Sequence, residues 1–367
     1  MPELAPLYPV SREHLDALSD EVGIFQHAIG RRPDPGHGHC TDDVARALVV
    51  DIAQQREVGW QPIEASAWRS LRFLVDAFNP ATRRFRNLRR IDGEWLDSAG
   101  SEDANARALL ALADSIAGAS SATFAEAADS LFRQALPMAS SLTGLRPRAA
   151  VLLACEAGTR AGLGRETSAT YRSVAHDLWW TFEIRSPSPE WPYPDAALTY
   201  ENGLPAHALI VAGARLGHPA MVRTGLRVLD WLIGVQTAPE GHLSPVGNLG
   251  WWPRDGERVQ FDQQPIEAAT LLHAAAAAYE TTGEGRYREA AELCYGWFLG
   301  ANDGGARVAD PERGACHDGL TPWGVNENQG AESTLAWLAA LAAIRRLRGV
   351  AGGASSVAGG VAAVSSR

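Results

Sequence analysis

The chain has 367 residues, of which 46% are hydrophobic and 21% are charged, and its mean hydropathy is −0.15. This composition supports a large core and excludes a disordered chain. The formal net charge of −10 and the pI near 5.5 argue against nucleic acid or an anionic membrane as the main partner, because phosphate binding requires clustered positive charge. A neutral or cationic ligand fits the charge better.

The N-terminus and the cysteines bear on the compartment. Residues 1–10 contain Glu3 and three prolines and lack the basic-then-apolar order of a signal peptide, and no run of about 18 apolar residues follows. The four cysteines are too sparse for a disulfide scaffold. We therefore expect a cytoplasmic protein with reduced thiols, either a monomer or a weak homo-oligomer.

Amphipathic segments with a 3.6-residue period follow one another along the chain, and almost no alternating strand pattern occurs. The sequence therefore predicts an all-α protein. The predicted helices cover residues 12–21, 42–56, 61–79, 102–117, 122–140, 146–162, 166–184, 202–216, 219–237, 265–282, 284–301 and 329–348.

Short and long links alternate between these helices, which indicates helical hairpins. A closed toroid of six hairpins in one domain, residues 1–348, would place all long links on one rim together with the starts of the inner helices. We expect the inner helices to begin near residues 42, 102, 146, 202, 265 and 329. Residues 349–367 are rich in Gly, Ala and Ser and are predicted to be a disordered tail.

Acids and amides recur at the predicted starts of the inner helices. Asp42 and Asp43 open the first, and Glu102 and Asp103 open the second. A single acid at a helix start fits an N-cap as well as it fits a functional role. The repetition at five helix starts exceeds what capping requires. The remaining members of the series are Glu201, Asn202, Asp262, Gln263, Gln264, His317, Asp318, Asn326, Glu327, Asn328, Gln329 and Glu332.

Three arginines lie close to these acids. Arg46 and Arg107 each follow an acid of their motif by one helical turn, a spacing typical of structural salt bridges. Arg146 opens the third inner helix, which has no acid there. We expect it to supply a wall of the pocket or a charge partner.

Aromatic residues are concentrated in the long links. Sugar rings present flat C–H faces that stack on aromatic rings, whereas long loops also need aromatic residues to fill their interior, so both roles stay open. The acid Asp195 lies in the same proline-rich stretch as Trp191 and Tyr193. We consider it a further candidate for substrate contact. The aromatic residues of the links are Trp95, Trp191, Tyr193, Tyr200, Trp251, Trp252 and Trp323.

An acid-lined, aromatic rim suits glycoside hydrolysis, in which one protonated carboxyl assists the leaving group and one carboxylate activates water or attacks carbon. Glu201 and Asp262 follow aromatic residues, so either is a candidate general acid. Asp43, Asp103 or Glu327 is the candidate partner. We expect all five to point into one cavity that binds an oligosaccharide or glycoside without a metal or other cofactor.

Four stretches resemble a bacterial group of six-hairpin glycosidase-like proteins, similar to an (α/α)6 domain often attached to glycosyltransferases. The resemblance covers about residues 23–348 and implies an (α/α)6 barrel with a carbohydrate role, without indicating which acids react. Glu201 stands where relatives are expected to carry Asp. The stretches are His39-Cys40-Thr41-Asp42-Asp43, Leu198 to Asn202 with Leu204-Pro205, Phe261 to Ala268, and Asp318-Gly319 with Asn326 to Ser333.

Three other functions fit parts of the pattern. Cys316 and His317 in one link, with His37, His39 and Cys40 in another, could ligate zinc in a lanthionine-cyclase-like enzyme. A terpene-cyclase-like toroid could use the acids on a prenyl substrate, although Asn and Gln suit a hydrocarbon pocket poorly. A non-catalytic glycan-binding domain would keep the aromatic rim without the chemistry.

Overall fold

The computed structural model describes residues 4–186 and 188–357. Within these residues the chain is mainly helical, with a 3-10 helix at Leu136–Ser141. The α-helices are α1 (Glu13–Ala17), α2 (Thr41–Val58), α3 (Gln61–Ala77), α4 (Glu102–Gly118), α5 (Ala122–Ala135), α6 (Leu145–Arg160), α7 (Arg165–Arg185), α8 (Gly203–Arg215), α9 (Pro219–Val235), α10 (Pro265–Thr282), α11 (Gly285–Phe298) and α12 (Ala331–Val357).

The helices form two concentric layers. The inner helices α2, α4, α6, α8, α10 and α12 each pack against the next, and α12 packs against α2, which closes the ring. The outer helices α3, α5, α7, α9 and α11 each pack against the inner helix that precedes them, and the short α1 packs against α12. The prediction of an all-α toroid of helical hairpins, an (α/α)6 barrel, is confirmed.

Small side chains allow the inner helices to pack closely. Residues 274–278 of α10 are five consecutive alanines, all buried. A Cβ atom on Gly203 would lie 2.8 Å from the backbone of Thr270, so only glycine fits at the start of α8. Because Thr270 belongs to the second turn of α10, α8 begins deeper in the ring than α10 does.

Several helix ends differ from the predicted ones. The helix predicted at 122–140 ends as an α-helix at Ala135, because Pro137 lacks the N–H that would continue it, and a 3-10 helix follows. The helix predicted at 284–301 ends at Phe298, before Gly300 with φ 105°. The first predicted helix, 12–21, is only Glu13–Ala17.

The C-terminal boundary also differs from the predicted one. The predicted tail begins at residue 349, whereas α12 continues to Val357. The rest of that predicted tail, residues 358–367, lies outside the described residues.

Short antiparallel strands lie in the long links. The sequence analysis missed the β1–β2 hairpin, because its second strand, RPDPGHGHC, has three glycines or prolines among its first five residues and no apolar alternation. The strands are β1 (Phe25–Ile29), β2 (Arg32–Cys40), β3 (Phe78–Asn79), β4 (Arg84–Phe85), β5 (Leu88–Arg89), β6 (Ala197–Leu198), β7 (Trp252–Pro253), β8 (Ala309–Asp310), β9 (Ala315–Cys316), β10 (Leu320–Thr321) and β11 (Gly324–Val325).

Strand pairing connects the long links with each other at one end of the ring. The order β1-β2-β5 joins the link before α2 to the link before α4, and β6 pairs with β7, which joins the links before α8 and α10. An isolated bridge between Gln263 and Leu320 joins the links before α10 and α12. The rim expected from the alternating link lengths is therefore a connected layer of loops over the starts of the inner helices.

Candidate active site

Two buried arginines connect acids from different inner helices. Arg46 of α2 donates from Nη1 to Asp43 Oδ1 at 2.9 Å, and the same nitrogen lies 3.4 Å from Asp42 Oδ2. Its Nη2 lies 2.9 Å from Oε2 of Glu332 in the first turn of α12. The Arg46 guanidinium therefore joins α2 to α12.

The second arginine crosses the bore of the ring. Arg107 of α4 donates from Nη1 to Asp42 Oδ1 at 2.8 Å and from Nη2 to Oε2 of Glu201, just before α8. Because α6 lies between α4 and α8 in the ring, this ion pair bridges two helices that are not neighbours. We call Asp42, Asp43, Arg46, Arg107, Glu201 and Glu332 the arginine network. The salt bridge expected between Arg46 and Asp42 is present, whereas Arg107 pairs with Asp42 and Glu201 instead of the acid of its own motif, Asp103.

Adjacent acids of the network differ in protonation. Burial raises the pKa of Asp42, but Arg107 and Arg46 outweigh it and hold the net pKa below the usual 3.8. Burial raises the pKa of Asp43 to about 6, since Arg46 offsets it only in part and the charges of Asp42 and Glu332 act in the same direction as burial. Asp42 is therefore a fixed anion, whereas Asp43 titrates near neutrality.

A third arginine holds the turn that carries Glu201. Arg146 of α6 donates from Nη2 to Thr199 Oγ1 at 2.7 Å and to Asn202 Oδ1 at 3.2 Å, and from Nε to the Tyr200 carbonyl. Its guanidinium carbon lies 4.5 Å from the centre of the Tyr200 ring, and Nη1 lies 3.4 Å from Asp195 Oδ2. Arg146 thus acts as a charge partner and fixes this turn.

The backbone at Glu201 is left-handed, with φ 49°. A non-glycine residue adopts this conformation at a cost that the surrounding contacts must offset. Asn202 supplies some of them, donating from Nδ2 to the Thr199 carbonyl at 2.7 Å and to Glu267 Oε2 at 2.8 Å. Glu267 is fully buried, its Oε1 has no hydrogen-bond partner among the described residues, and burial raises its pKa to about 7.

The two acids that open α4 face different partners. The Tyr200 hydroxyl donates to Asp103 Oδ2 at 2.6 Å, which places Asp103 beside the Glu201 turn. Glu102 instead accepts the backbone N–H groups of Thr143 and Gly144 at 2.9 and 2.8 Å, at the start of α6. Burial raises the pKa of Glu102, but these N–H groups together lower it by more, so the net pKa lies below its usual value. The structure therefore gives Glu102 a bracing role in the turn before α6, whereas it was predicted to bind substrate.

Asp262 lies beside the link that precedes α12. Gln263 and Leu320 exchange backbone hydrogen bonds of 3.0 and 2.9 Å, and a Cβ atom on Gly319 would lie 3.4 Å from Asp262 Oδ1. Like Glu201, Asp262 has a left-handed backbone, with φ 59°. Burial raises its pKa, and the charge of Asp318 acts in the same direction.

Asp318 is held in place by the start of α12. Its Oδ1 accepts the Gly330 N–H at 2.7 Å and the Ser333 hydroxyl at 2.6 Å. Asp262 and Asp318 are therefore neighbouring carboxyl groups, and the start of α12 fixes the position of Asp318.

The structure buries five residues that were predicted to bind substrate, namely Asn202 of the Glu201 turn, Gln329 just before α12, and three that lie inside the links. Trp191 is 5% exposed, donates from Nε1 to the Asp195 carbonyl at 2.9 Å and packs on Trp252. Tyr193 is fully buried, with its hydroxyl 3.4 Å from the Asn202 carbonyl. The Gln263 amide donates to the Gln260 carbonyl at 2.9 Å and to Asp303, and it accepts the Trp297 indole N–H at 2.9 Å. Their polar groups bond protein partners, because these side chains fill the interior of the links.

Other predicted residues lie partly open at the rim. Trp251 has φ 61° and is half-buried, 6.5 Å from the Tyr200 ring. Trp252 and Gln264 are also half-buried, and Gln264 precedes α10 without capping it through its side chain.

The link before α12 carries the remaining predicted residues. His317 Nδ1 lies 2.6 Å from the Asn326 carbonyl, and Gln329 Nε2 lies 3.2 Å from His317 Nε2. Asn328 Oδ1 accepts the Gly30 N–H at 3.0 Å and so joins this link to the β1–β2 turn. Glu327 is exposed and forms no salt bridge within the described part of the chain. Asp43, Asp103 and Glu201 are thus connected, whereas Glu327 does not join them.

The cysteines and histidines considered for zinc have other partners. His39 Nε2 lies 3.1 Å from Asp20 Oδ1, and the Cys40 thiol donates to Asp43 Oδ2 at 3.1 Å. Across residues 4–186 and 188–357, no three or more His, Cys, Asp or Glu side chains are grouped so that they could hold a metal ion. Among the helices of those residues, none combines the length and apolarity needed to cross a membrane.

Sequence reasoning missed several groups of this site. Glu267 lies in the stretch Phe261 to Ala268 but was not predicted to be a site residue. An acid in an alanine-rich helix is a signal of a buried polar contact. His27 on β1 lies 4.6 Å from the His37 ring, and its pKa is lowered by burial and by His37, with Asp318 acting in the opposite direction. The β1–β2 hairpin therefore contributes a histidine near the start of α12.

Comparison with solved structures shows the same fold at low sequence identity. A cellobiose 2-epimerase from Bacillus thermoamylovorans is 11% identical with a TM-score of 0.71, and the match covers 93% of this chain and 96% of that one. A cellobiose 2-epimerase from Spirochaeta thermophila is 15% identical with a TM-score of 0.67, covering 92% and 93%. A family GH76 α-mannanase from Bacteroides thetaiotaomicron is 10% identical with a TM-score of 0.65, covering 93% and 96%. No family model and no curated protein sequence matches the chain.

Proposed function

We propose that this protein is a carbohydrate-active enzyme that cleaves a glycosidic bond, by hydrolysis or phosphorolysis, with Asp262 as the general acid and Asp103 as its partner carboxylate. The neighbours in fold support the substrate class, since they are named as sugar epimerases and a mannanase. The residue roles rest on the contrast between Asp262 and Glu201.

Both candidate acids have a left-handed backbone, but only Glu201 is paired with a cation. The Arg107 guanidinium donates directly to Glu201, which is 4% exposed. Asp262 has no salt bridge to an arginine or lysine within the described residues, and burial together with the Asp318 charge raises its pKa. A general acid must reach the leaving group, so the half-buried Asp262 fits this role better than the buried Glu201, whose carboxyl group is bonded by Arg107.

Asp103 fits the role of the partner carboxylate. Its Oδ2 accepts the Tyr200 hydroxyl, and the side chain is only half-buried, so the second oxygen stays available. Asp43 is 3% exposed and bonded by both Cys40 and Arg46, which leaves it little access to a ligand. Glu327 is exposed, where nothing holds it opposite Asp262.

The test is Asp262→Asn assayed on a natural glycoside and on an aryl glycoside with an activated leaving group. Loss of a general acid should lower kcat on the natural substrate by roughly 10²–10⁴-fold and affect the activated one far less, because that leaving group departs without protonation. Asp255→Asn, in the same link and 88% exposed, is the matched control and should leave both rates unchanged. Equal losses on both substrates would remove Asp262 from this role.

The alternative that the protein is a non-catalytic glycan-binding domain can be tested with the same variants. Acid-to-amide variants that abolish turnover while sparing glycan affinity would argue against it, whereas a wild-type protein that binds glycans without converting any would support it. Oligosaccharides should be screened with and without phosphate, followed by analysis of the product anomer, which separates hydrolysis from phosphorolysis.

Sugar epimerisation or isomerisation is a second candidate, favoured by the fold neighbours named cellobiose 2-epimerase and D-mannose isomerase. Such a reaction needs a base that removes a proton next to a carbonyl and returns it. Incubation of reducing sugars in D2O decides this point. Deuterium at the carbon next to the carbonyl would favour epimerisation, and glycoside cleavage without exchange would favour hydrolysis.

A further inference from the structure

The β10–β11 hairpin carries a tryptophan at its tip. Thr321 pairs with Gly324, so Pro322 and Trp323 form the connecting turn. The Thr321 hydroxyl donates to the Gly324 carbonyl at 2.8 Å, and its oxygen accepts the Trp323 backbone N–H at 3.3 Å. Gly324 has φ 126°, a conformation that favours glycine. The Thr321 side chain therefore braces the turn, and the backbone that presents Trp323 is well defined.

The Trp323 side chain is almost entirely in solvent, with 92% of its surface exposed. Single exposed aliphatic residues are ordinary on protein surfaces, but a tryptophan offers roughly 150–250 Å² of largely apolar area. The other tryptophans of the links behave differently, since Trp191 is 5% exposed and Trp252 packs on it. Filling the interior of a link explains Trp191 and does not explain Trp323.

The base of this hairpin belongs to the candidate active site. Leu320 begins β10 and pairs through its backbone with Gln263, the residue after Asp262. At the other end of the hairpin, the Asn326 N–H donates to the Gly319 carbonyl at 2.9 Å, next to Asp318. Three residues of extended chain reach about 10 Å, so the hairpin tip lies up to about that distance from its base at Leu320.

The charges near the hairpin restrict the occupant. Glu327 is exposed close to its base, the acid Asp318 is held next to the base by Gly330, and the chain has a net charge of −10. A chain of acidic sugars would be repelled by these groups. A neutral pyranose presents an apolar C–H face to an aromatic ring without that penalty.

We infer that Trp323 is the stacking platform of a distal subsite, which binds a sugar unit of a neutral oligosaccharide while another unit lies at Asp262. This inference rests on the proposed function. It extends that function from bond cleavage to a preference for chain length, since only substrates long enough to reach the hairpin tip gain from Trp323.

The experiment compares wild-type protein, Trp323→Ala, Trp323→Phe and the control Leu249→Ala on a series of neutral oligosaccharides of increasing length. Leu249 is 75% exposed in another link and carries no aromatic ring. Trp323→Ala should lower kcat/KM for the longest substrates by about five- to tenfold and have a smaller effect on the shortest, and Trp323→Phe should recover most of the loss. Leu249→Ala should not change the length dependence.

Outcomes that contradict the inference are distinct from those that contradict the proposed function. An equal loss at all lengths, or no loss, would overturn the distal subsite while leaving the cleavage chemistry intact. A change of oligomeric state in Trp323→Ala, measured by light scattering, would overturn it in favour of a protein contact. If wild-type protein converts no glycan of any length, the proposed function fails and the inference fails with it.

Discussion

The bore of the ring holds two layers of buried and half-buried ionisable groups that differ in how they are paired. The arginine network lies at the rim end, where acids of α2, α12 and the link before α8 bond Arg46 and Arg107 directly. One to two helical turns further from the rim lies a second set, Asp114, His207 and His273, which we call the lower layer. The rings of its two histidines are 6.1 Å apart and nearly parallel.

Burial has different results at Asp42 and in the lower layer. In the lower layer burial raises the pKa of Asp114 to about 6 and lowers the pKa values of His207 and His273 to about 3 and about 4, so the histidines are neutral at pH 7. In the arginine network Asp42 stays charged in spite of burial. Pairing with two guanidinium groups therefore keeps Asp42 charged, whereas Asp43, which bonds Arg46 alone, has its pKa raised to about 6.

The largest expected effect comes from breaking the network at Arg107. Arg107→Met leaves Asp42 and Glu201 without their shared partner in a buried site, which should lower the free energy of unfolding by about 3–5 kcal/mol. Urea unfolding at pH 7 measures this change.

Arg346→Met is the matched control at the other end of the bore. Arg346 pairs with Glu280 at 3.2 Å, and both side chains are more than 40% exposed, so the loss should stay below about 1 kcal/mol. Equal losses in the two variants would show that the network carries no special stabilisation.

A second prediction concerns the pH dependence of stability at Glu267. Because the folded pKa is raised from 4.5 to about 7, the protonated form stabilises the fold, and this contribution is complete below pH 4.5 and lost as pH rises through about 7. The loss is on the order of 3 kcal/mol. Glu267→Gln cannot ionise, so its free energy of unfolding should fall less between pH 4 and 8. If the free energy of unfolding of Glu267→Gln falls with pH as steeply as that of wild type, the buried, protonated carboxyl is contradicted.

In the lower layer, His207 should give a pH dependence of stability opposite in sign to that of Glu267. Its folded pKa is lowered from 6.5 to about 3, so its contribution is complete above pH 6.5 and lost as pH falls. At pH 5 this loss is on the order of 2 kcal/mol. His207→Gln should therefore lose less stability than wild type between pH 7 and 5, as measured by urea unfolding at each pH. A variant that is as acid-sensitive as wild type would place the cause elsewhere.

The sequence predicted the ring and its rim better than the contacts within them. Alternating link lengths and the 3.6-residue period depend on local order, and they identified all six inner helices. The positions of Glu201 and Asp262 depend on left-handed turns that tertiary contacts impose, which no local pattern shows. Likewise, the reach of Arg107 across the bore follows from ring closure, and the burial of Trp191 and Tyr193 follows from how the links pack on each other.

The pairing of Gln263 with Leu320 has a consequence for protein engineering. Each residue satisfies the backbone N–H and carbonyl of the other. The links before α10 and α12 should therefore be exchanged together as one unit. A chimaera that receives only one of the two loops from another toroid would leave two backbone donors and two acceptors without partners beside Asp262. Substrate preference should therefore transfer between such proteins when both loops are grafted together, and grafts of one loop should lose activity even when the donated loop carries the right side chains.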